Sequence, residues 1–205
     1  MCDIKTLTLL CLPLLIGCKP DIVQDSNQAK VVSRQIDRSP GNIPDDLTSM
    51  NSPLRFDSAN QKLNKHFFGT FFQRRANFFV IHEPNRTLYQ KKVKNITLYY
   101  LDDELFKTKY TMEEDISNTL INSFGRFEFH PHDSLGRALG RHKQLIQKKN
   151  GKTILNENLI NYELRWSLAD MEIVAKTNKT DGLFEYVERR KDFEQVYKSV
   201  KLSDY

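Results

Sequence analysis

Runs of β-favouring residues near the middle of the chain predict a β-hairpin. Residues 96–101 and 105–112 are rich in aromatic, aliphatic and Thr side chains, and the acidic triplet Asp102-Asp103-Glu104 separates them. Strands are typically such runs, bounded by polar turn residues. We therefore expect two antiparallel strands that are joined at the triplet.

Strict alternation of apolar with polar or small residues predicts a half-buried strand further along, with apolar positions at Tyr162, Leu164, Trp166 and Leu168. Successive side chains of a strand point to opposite faces, so these four lie together and Trp166 faces the core. Turn signals at Ala169-Asp170 and Asp181-Gly182 predict two more strands, at residues 172–177 and 183–188.

A second hairpin is predicted between residues 144 and 156, where Asn150-Gly151 separates two short runs. The Asn-Gly pair favours the left-handed backbone of a two-residue hairpin turn. Just before this hairpin, Gly136 and Gly140 disfavour a long helix.

Apolar residues at helical spacing predict two helices. The first carries a stripe at Ile116, Leu120 and Phe124, and Gly125 can end it. The motif Thr111-x-x-Glu114 resembles a capping box at its start. The second helix ends the chain, with apolar residues at Phe193, Val196, Tyr197 and Val200.

Together these elements predict one small α+β domain over residues 61–205. Its sheet is mostly antiparallel, and at least two helices pack on one face. The segment has the size of a typical domain and enough apolar residues for a core of its own. No sequence repeat or heptad run is visible in it.

The first hydrophobic run of the chain differs from all of these. Residues 6–16 are uncharged and rich in Leu, and they follow a single basic residue, Lys5. A membrane-spanning helix needs roughly 20 apolar residues, so this run is too short to cross a bilayer. Its length suits the apolar region of a secretory signal.

The run ends in Leu15-Ile16-Gly17-Cys18, which is an aliphatic, a variable and a small residue followed by Cys. This sequence resembles the lipobox of bacterial lipoproteins. The resemblance implies that residues 1–17 are a removed signal and that Cys18 carries a diacylglycerol and an acylated amine. Lys19 stands where enteric bacteria use Asp for inner-membrane retention, so the outer membrane, facing the periplasm, is favoured. An ordinary secretory signal with an incidental Cys18 is the alternative.

Residues 18–60 are predicted to form the lipidated Cys and a flexible tether. The segment is rich in Ser, Asn and Asp and contains Pro20, Pro40, Pro44 and Pro53. As a random coil it would reach roughly 35 Å. Cys2 and Cys11 lie in the signal, so the processed chain has no disulfide and depends on its core alone.

The formal charge of +5 comes from 31 basic and 26 acidic residues. Because the two signs are interspersed, we expect a solvated surface with weak attraction to anionic lipid or acidic partners. An envelope location argues against a nucleic-acid partner, and no cofactor is expected.

One cluster of possible metal ligands occurs in the sequence, at His130, His132 and Asp133. Two His residues and a carboxylate can bind Zn²⁺, although a structural site needs further ligands from elsewhere in the chain. Pro131 and Asp133 are equally typical of a solvated loop, which is the favoured interpretation.

The densest aromatic stretch is interrupted by Gly69 and comprises Phe67, Phe68, Phe71, Phe72, Phe78 and Phe79. Such a stretch is more often core than exposed surface, with Gly69 at a turn or a close approach. The alternative is an exposed aromatic surface that touches lipid, a peptide or a protein partner.

No catalytic motif is recognised in the sequence. The acidic run Glu113, Glu114 and Asp115 is explained by its place near a predicted helix N-terminus. No nucleophile elbow, phosphate loop, dinucleotide fingerprint or HExxH pattern is present.

We therefore expect a non-enzymatic envelope lipoprotein, held in the membrane through Cys18, that binds a protein or peptide partner. The alternatives are an immunity lipoprotein that neutralises a periplasm-delivered toxin and an envelope hydrolase with an unrecognised site.

Overall fold

The computed structural model describes residues 48, 50 and 55–202. The predicted signal, Cys18 and most of the predicted tether lie outside the described residues. Within this part of the chain, the helices are α1 (Phe56–Leu63), α2 (Ser117–Phe124), α3 (Ser134–Arg141) and α4 (Phe193–Leu202). The strands are β1 (Phe67–Phe71), β2 (Ala76–His82), β3 (Thr87–Leu88), β4 (Lys91–Leu101), β5 (Glu104–Met112), β6 (Glu128–Pro131), β7 (Ile146–Lys149), β8 (Lys152–Leu155), β9 (Asn161–Ser167), β10 (Met171–Asn178) and β11 (Leu183–Arg190).

The predicted hairpin, β4 and β5, lies at the centre of one large sheet. Its strand order is β1-β2-β4-β5-β11-β10-β9-β6, and β3 pairs with β4 at the side. All neighbouring strands run antiparallel. The β7–β8 hairpin forms a separate sheet of two strands. The predicted α+β fold with a mostly antiparallel sheet is therefore confirmed.

Both predicted hairpin turns are present, with left-handed backbone at their two central residues. Asp102 and Asp103 have φ values of 46° and 70°, and Asn150 and Gly151 have values of 52° and 74°. This geometry matches the right-handed twist of the flanking strands. Glu104 pairs with Leu101 as the first residue of β5, so the turn is shorter than the predicted triplet.

Helix α2 ends as predicted but begins later. Gly125 has a φ of 73°, and its N–H donates to the carbonyl of Ile121 at 2.9 Å. The predicted capping box is wrong, because Thr111 lies within β5. The helix starts at Ser117, whose N–H donates to Asp115 Oδ1 at 2.8 Å. Asp115 therefore satisfies a backbone donor at the helix start.

The main core lies on the sheet face that α1 and α2 cover. Leu63 of α1 and Leu120 of α2 are buried there against strand residues such as Ile96 and Leu164. Two helices pack on one face as predicted, but the pair is α1 and α2 and not the two helices that the sequence predicted. A smaller core lies on the opposite face, where Phe193 of α4 packs with apolar strand side chains. The C-terminal helix is therefore on the other side of the sheet.

The folded part begins before the predicted boundary at Gln61. That residue lies in the middle of α1, where Ala59 is completely buried. The ring of Phe56 also packs into the core. Further upstream, Thr48 is buried and accepts a hydrogen bond from Arg86 Nη1 at 2.9 Å. The predicted tether boundary is corrected accordingly, because these contacts belong to the core.

Helix α3 is short, in keeping with the two glycines that it contains. Asp133 caps its start by accepting the N–H of Gly136 at 2.6 Å. Gly136 is buried, and a Cβ there would lie 3.1 Å from both Asp133 and Pro131. A side chain at this position would therefore push against the cap. Among the described residues, no helix is long and apolar enough to span a membrane.

Candidate functional site

The segment from His130 to Asp133 joins an edge strand to a helix. His130 lies in β6, with Nε2 3.5 Å from a Glu128 carboxylate oxygen. Asp133 uses one oxygen for the cap of α3 and the other to accept the N–H of Asn161 at 3.1 Å. Within residues 48, 50 and 55–202, no three His, Cys, Asp or Glu side chains are grouped to hold a metal ion. His130 and Pro131 lie in β6 and not in the predicted solvated loop, and only His132 and Asp133 connect this strand to α3.

The acidic run before α2 is divided between ion pairs and one buried network. Glu113 pairs with Lys92 and Glu114 with Lys91, both at the surface. Asp115 turns inward and accepts a hydrogen bond from the hydroxyl of Tyr162 at 2.8 Å. Each of the three acids therefore has a structural partner.

The hydroxyl groups around Asp115 are buried, and Asp115 itself is partly buried. Ser117, Tyr162 and Thr177 are each at most 3% exposed, and their hydroxyls lie within hydrogen-bond distance of one another or of Asp115. Burial raises the pKa of the Tyr162 phenol, and the neighbouring Asp115 carboxylate raises it further. This arrangement fixes the start of α2 against β9 and β10, because buried polar groups are stable only when they are paired.

The aromatic stretch divides between core and surface. Phe79 is completely buried, and Phe78 is partly buried against the smaller core. Phe67 and Phe71 are 38% and 39% exposed, and Phe68 is 67% exposed. The prediction that this stretch is core is therefore wrong for β1, whereas it holds for β2. The alternative, an exposed aromatic surface, describes β1.

A β-bulge explains the exposure of Phe68. Phe67 pairs with Phe79 and Gly69 pairs with Phe78, so Phe68 has no partner residue in β2. A bulge turns the extra side chain out of the regular alternation of the strand. The ring of Phe68 then stacks on Phe71, with centroids 6.2 Å apart. We call these two side chains, together with the outer edge of β1, the aromatic edge.

The two ends of the sheet are built differently. Among the described residues, no strand pairs with the outer edge of β1 or of β6. The edge at β6 carries Glu128, His130 and Pro131, and charge and proline discourage further strand pairing. The sequence of β1, FFGTF, contains neither a charge nor a proline. The aromatic edge is therefore the less protected end of the sheet.

The aromatic edge continues inward as a row of rings on the α4 face. Phe71 lies 5.1 Å from Phe78, which lies 5.1 Å from Tyr99, and Tyr99 lies 6.2 Å from Phe193 of α4. Helix α4 covers the inner part of this row, and the outermost rings stay exposed. The exposed rings are thereby held on a rigid base.

At the inner end of this row lies Lys107, on β5. Its ammonium is 4.5 Å from the Tyr99 ring centre and 5.0 Å from that of Phe193. Burial, together with the positive charge of the neighbouring Arg189, lowers the pKa of Lys107 to about 8. Attraction between the cation and the two rings partly offsets the cost of burying the charge.

Beyond Lys107, the rest of this sheet face carries paired charges. Lys109 lies 3.0 Å from Glu185, and Lys176 lies 3.3 Å from Glu163. Arg189 lies 2.6 Å from Glu172. Each of these pairs joins neighbouring strands, so the face is close to electrically neutral. We therefore do not expect it to attract charged ligands.

Unpaired positive charge is concentrated instead in α3 and the β7–β8 hairpin. Residues 134–156 contain no Asp or Glu, and their basic residues are Arg137, Arg141, Lys143, Lys148, Lys149 and Lys152. None of the six forms an ion pair with a described residue. We call this segment the basic surface.

An open groove of about 520 Å³ lies within the basic surface. Arg137 and Arg141 line it, and they lie four residues apart and hence on one side of α3. Its apolar lining includes Phe129 of β6, Gly140 of α3 and Leu145. The groove is therefore lined by both cationic and apolar side chains.

Sequence reasoning missed the basic surface, and it gave an exposed aromatic surface only as the alternative. The signal for the basic surface was present, because the segment from 134 to 156 lacks acids. The charge count of the whole chain does not reveal this segment, because acidic residues elsewhere nearly balance the basic ones. The exposure of Phe68 had no comparable signal, because the bulge at Gly69 depends on how β1 pairs with β2.

No protein-family model matches the sequence of this chain, and no curated protein or solved structure is significantly similar to it. The interpretation of its function therefore depends on its own residues. The immunity and hydrolase alternatives stay predictions.

Proposed function

We propose that the chain is a lipid-anchored envelope protein that binds an extended segment of a protein partner along the aromatic edge, without catalysing a reaction. The observation that carries this proposal is the outer edge of β1, where exposed Phe68 and Phe71 accompany a strand without charge or proline. In this mode the partner segment adds one strand to the sheet.

The backbone and the side chains of the edge support the same mode of binding. An edge strand offers N–H and C=O groups to an incoming strand, which supplies affinity for any extended peptide. The exposed aromatic rings add side-chain contacts to this backbone pairing. When a partner buries such rings, they contribute much of the binding energy of the interface. The stacking of Phe68 on Phe71, and of Phe71 against Phe78, holds the rings in place before binding.

The anchoring part of the proposal depends on Leu15-Ile16-Gly17-Cys18. Two or more acyl chains on one residue hold a protein stably in a bilayer, whereas one chain gives only marginal binding. A Cys18→Ser variant is expected to incorporate no labelled fatty acid and to keep its signal. Fatty-acid incorporation into that variant, or cleavage at another position, would refute the assignment.

Selection from a displayed library of random peptides tests the binding site. The bait is the chain from Lys19 to Tyr205, which retains every residue that the structure describes. We expect selected peptides to be extended and rich in apolar residues. Phe68→Ser should weaken their binding by about tenfold or more, as expected for an aromatic hot spot. Bound peptide should also slow amide hydrogen exchange in β1.

Leu202→Ser provides the matched control. Leu202, at the end of α4, is 69% exposed, close to the 67% of Phe68. Leu202→Ser therefore removes an apolar side chain that is about as exposed as Phe68, and it should leave peptide binding unchanged. Equal effects of the two variants would argue against the aromatic edge. So would concentration-dependent dimerisation that Phe68→Ser abolishes, because the edge would then serve a second copy of the chain.

A further inference from the structure

The basic surface carries six basic side chains and no acidic one within its segment. On the sheet, Arg165, Lys176 and Arg189 each lie within an ion pair. Arg137 and Arg141 have no carboxylate partner among the described residues. Unneutralised charge of one sign raises the local concentration of counter-ions and favours an anionic ligand.

Two exposed aliphatic side chains lie in the same segment of the chain. Leu135 on α3 is 42% exposed, and Ile146 at the start of β7 is 46% exposed. Lys and Arg combined with exposed Leu and Ile are typical of surfaces that lie at a membrane interface. The cations meet the headgroups there, and the aliphatic side chains enter the boundary of the acyl region.

The groove between α3 and β6 fits a phosphate headgroup. Arg137 and Arg141 flank it, and guanidinium groups match phosphate oxygens with two parallel hydrogen bonds. Phe129 and Leu145, which also line the groove, can contact the apolar part of the lipid next to its phosphate.

We infer that the basic surface docks the domain onto the phosphate-bearing headgroups of an anionic bilayer. This inference rests on the proposed lipid anchor, since the anchor keeps a membrane within reach. The docked surface is separate from the aromatic edge, which lies at the opposite end of the strand order from β6. A docked domain would thus keep its peptide-binding edge in solution.

Co-sedimentation with vesicles tests this inference without the lipid anchor. The chain from Lys19 to Tyr205 is mixed with vesicles of phosphatidylcholine or of equal parts phosphatidylcholine and phosphatidylglycerol. We expect binding only to the anionic vesicles, and we expect it to decline between about 0.1 M and about 0.5 M NaCl as charges are screened. Equal binding to both vesicles, or no binding, overturns the inference.

The double variant Arg137→Gln/Arg141→Gln locates the interaction. Each basic side chain near an anionic surface strengthens binding by roughly fivefold, so we expect a loss of about thirtyfold. Lys198→Gln/Lys201→Gln is the matched control, because it removes the same charge from exposed positions on α4. Equal losses in the two variants would mean that only net charge matters and would overturn the assignment.

Poly-glutamate distinguishes a lipid surface from an acidic protein. We expect Leu135→Ser/Ile146→Ser to weaken vesicle binding and to leave any poly-glutamate binding unchanged. If poly-glutamate binds and anionic vesicles do not, the surface serves an acidic partner and the inference is wrong. Fatty-acid labelling of the full chain is a separate measurement, so loss of docking with intact acylation is distinguishable from failure of the proposed anchor.

Discussion

Replacing Trp166 with Ala tests the central packing of the main core. Trp166 is 2% exposed on the inner face of β9, and its ring centre lies 6.0 Å from those of Phe124 and Phe127. Its indole N–H also donates to the carbonyl of Gly125 at 3.3 Å. The substitution therefore removes a buried aromatic side chain and leaves the end of α2 without this contact.

The expected loss in the free energy of unfolding is about 3–5 kcal/mol, the usual range for removing a large buried aromatic side chain. Such a loss is a large share of a typical domain stability of about 5–15 kcal/mol. Trp166→Phe should cost less, because it keeps the ring packing and loses the N–H donor. Urea unfolding followed by circular dichroism measures both changes, since neither variant retains a Trp fluorophore.

Phe68→Ala is the matched control for an exposed aromatic residue. Phe68 lies outside both cores, so the free energy of unfolding of the variant should stay within about 0.5 kcal/mol of that of the unaltered chain. If Trp166→Ala costs less than about 1 kcal/mol, or no more than Phe68→Ala, the described packing around β9 is incorrect. Wild-type Trp emission that is already red-shifted and readily quenched by acrylamide would lead to the same conclusion.

Two further predictions concern the α4 face and the N-terminal boundary. Lys107 has a folded-state pKa of about 8, below its ordinary value, so the unfolded chain binds more protons between the two values. Stability should therefore rise from about pH 8 to about pH 10 relative to Lys107→Met, measured by urea unfolding; a pH-independent difference would contradict this. A chain that begins at Gln61 should unfold at a lower temperature than one that begins at Thr48, because it lacks Phe56 and Ala59. Calorimetry with and without dithiothreitol should give single transitions that the reductant does not change.

The strands and hairpins could be predicted because their signals are local. The alternation around Trp166 specifies which side chains face the core, and Asn150-Gly151 specifies a tight turn whatever surrounds it. The helix start before Ser117 could not be located from the sequence. Thr111 fits a capping box by spacing, but its pairing with Glu185 of β11 keeps it in the sheet.

The binding surfaces were harder to predict because they arise from tertiary pairing. Phe68 and Phe79 look equivalent in the sequence, but the bulge in β1 exposes Phe68 and packing against the main core buries Phe79. Thr48 and Ala59 looked like parts of a tether because their neighbours are polar and rich in proline. Their burial depends on contacts with the distant strands of the core.

The position of β11 between β5 and β10 makes the folding of this domain dependent on the end of the chain. Phe184 pairs with Met112, and Arg189 pairs with Lys107, so these contacts close long loops. Long-range pairing of this kind is slow, because loop-closure entropy is lost before the contacts form. During synthesis, β1 to β5 emerge first, and the inner edge of β5 stays open until β11 arrives. We therefore expect a premature stop before Leu183 to leave an aggregation-prone chain, since unpaired edges in folding intermediates associate with one another.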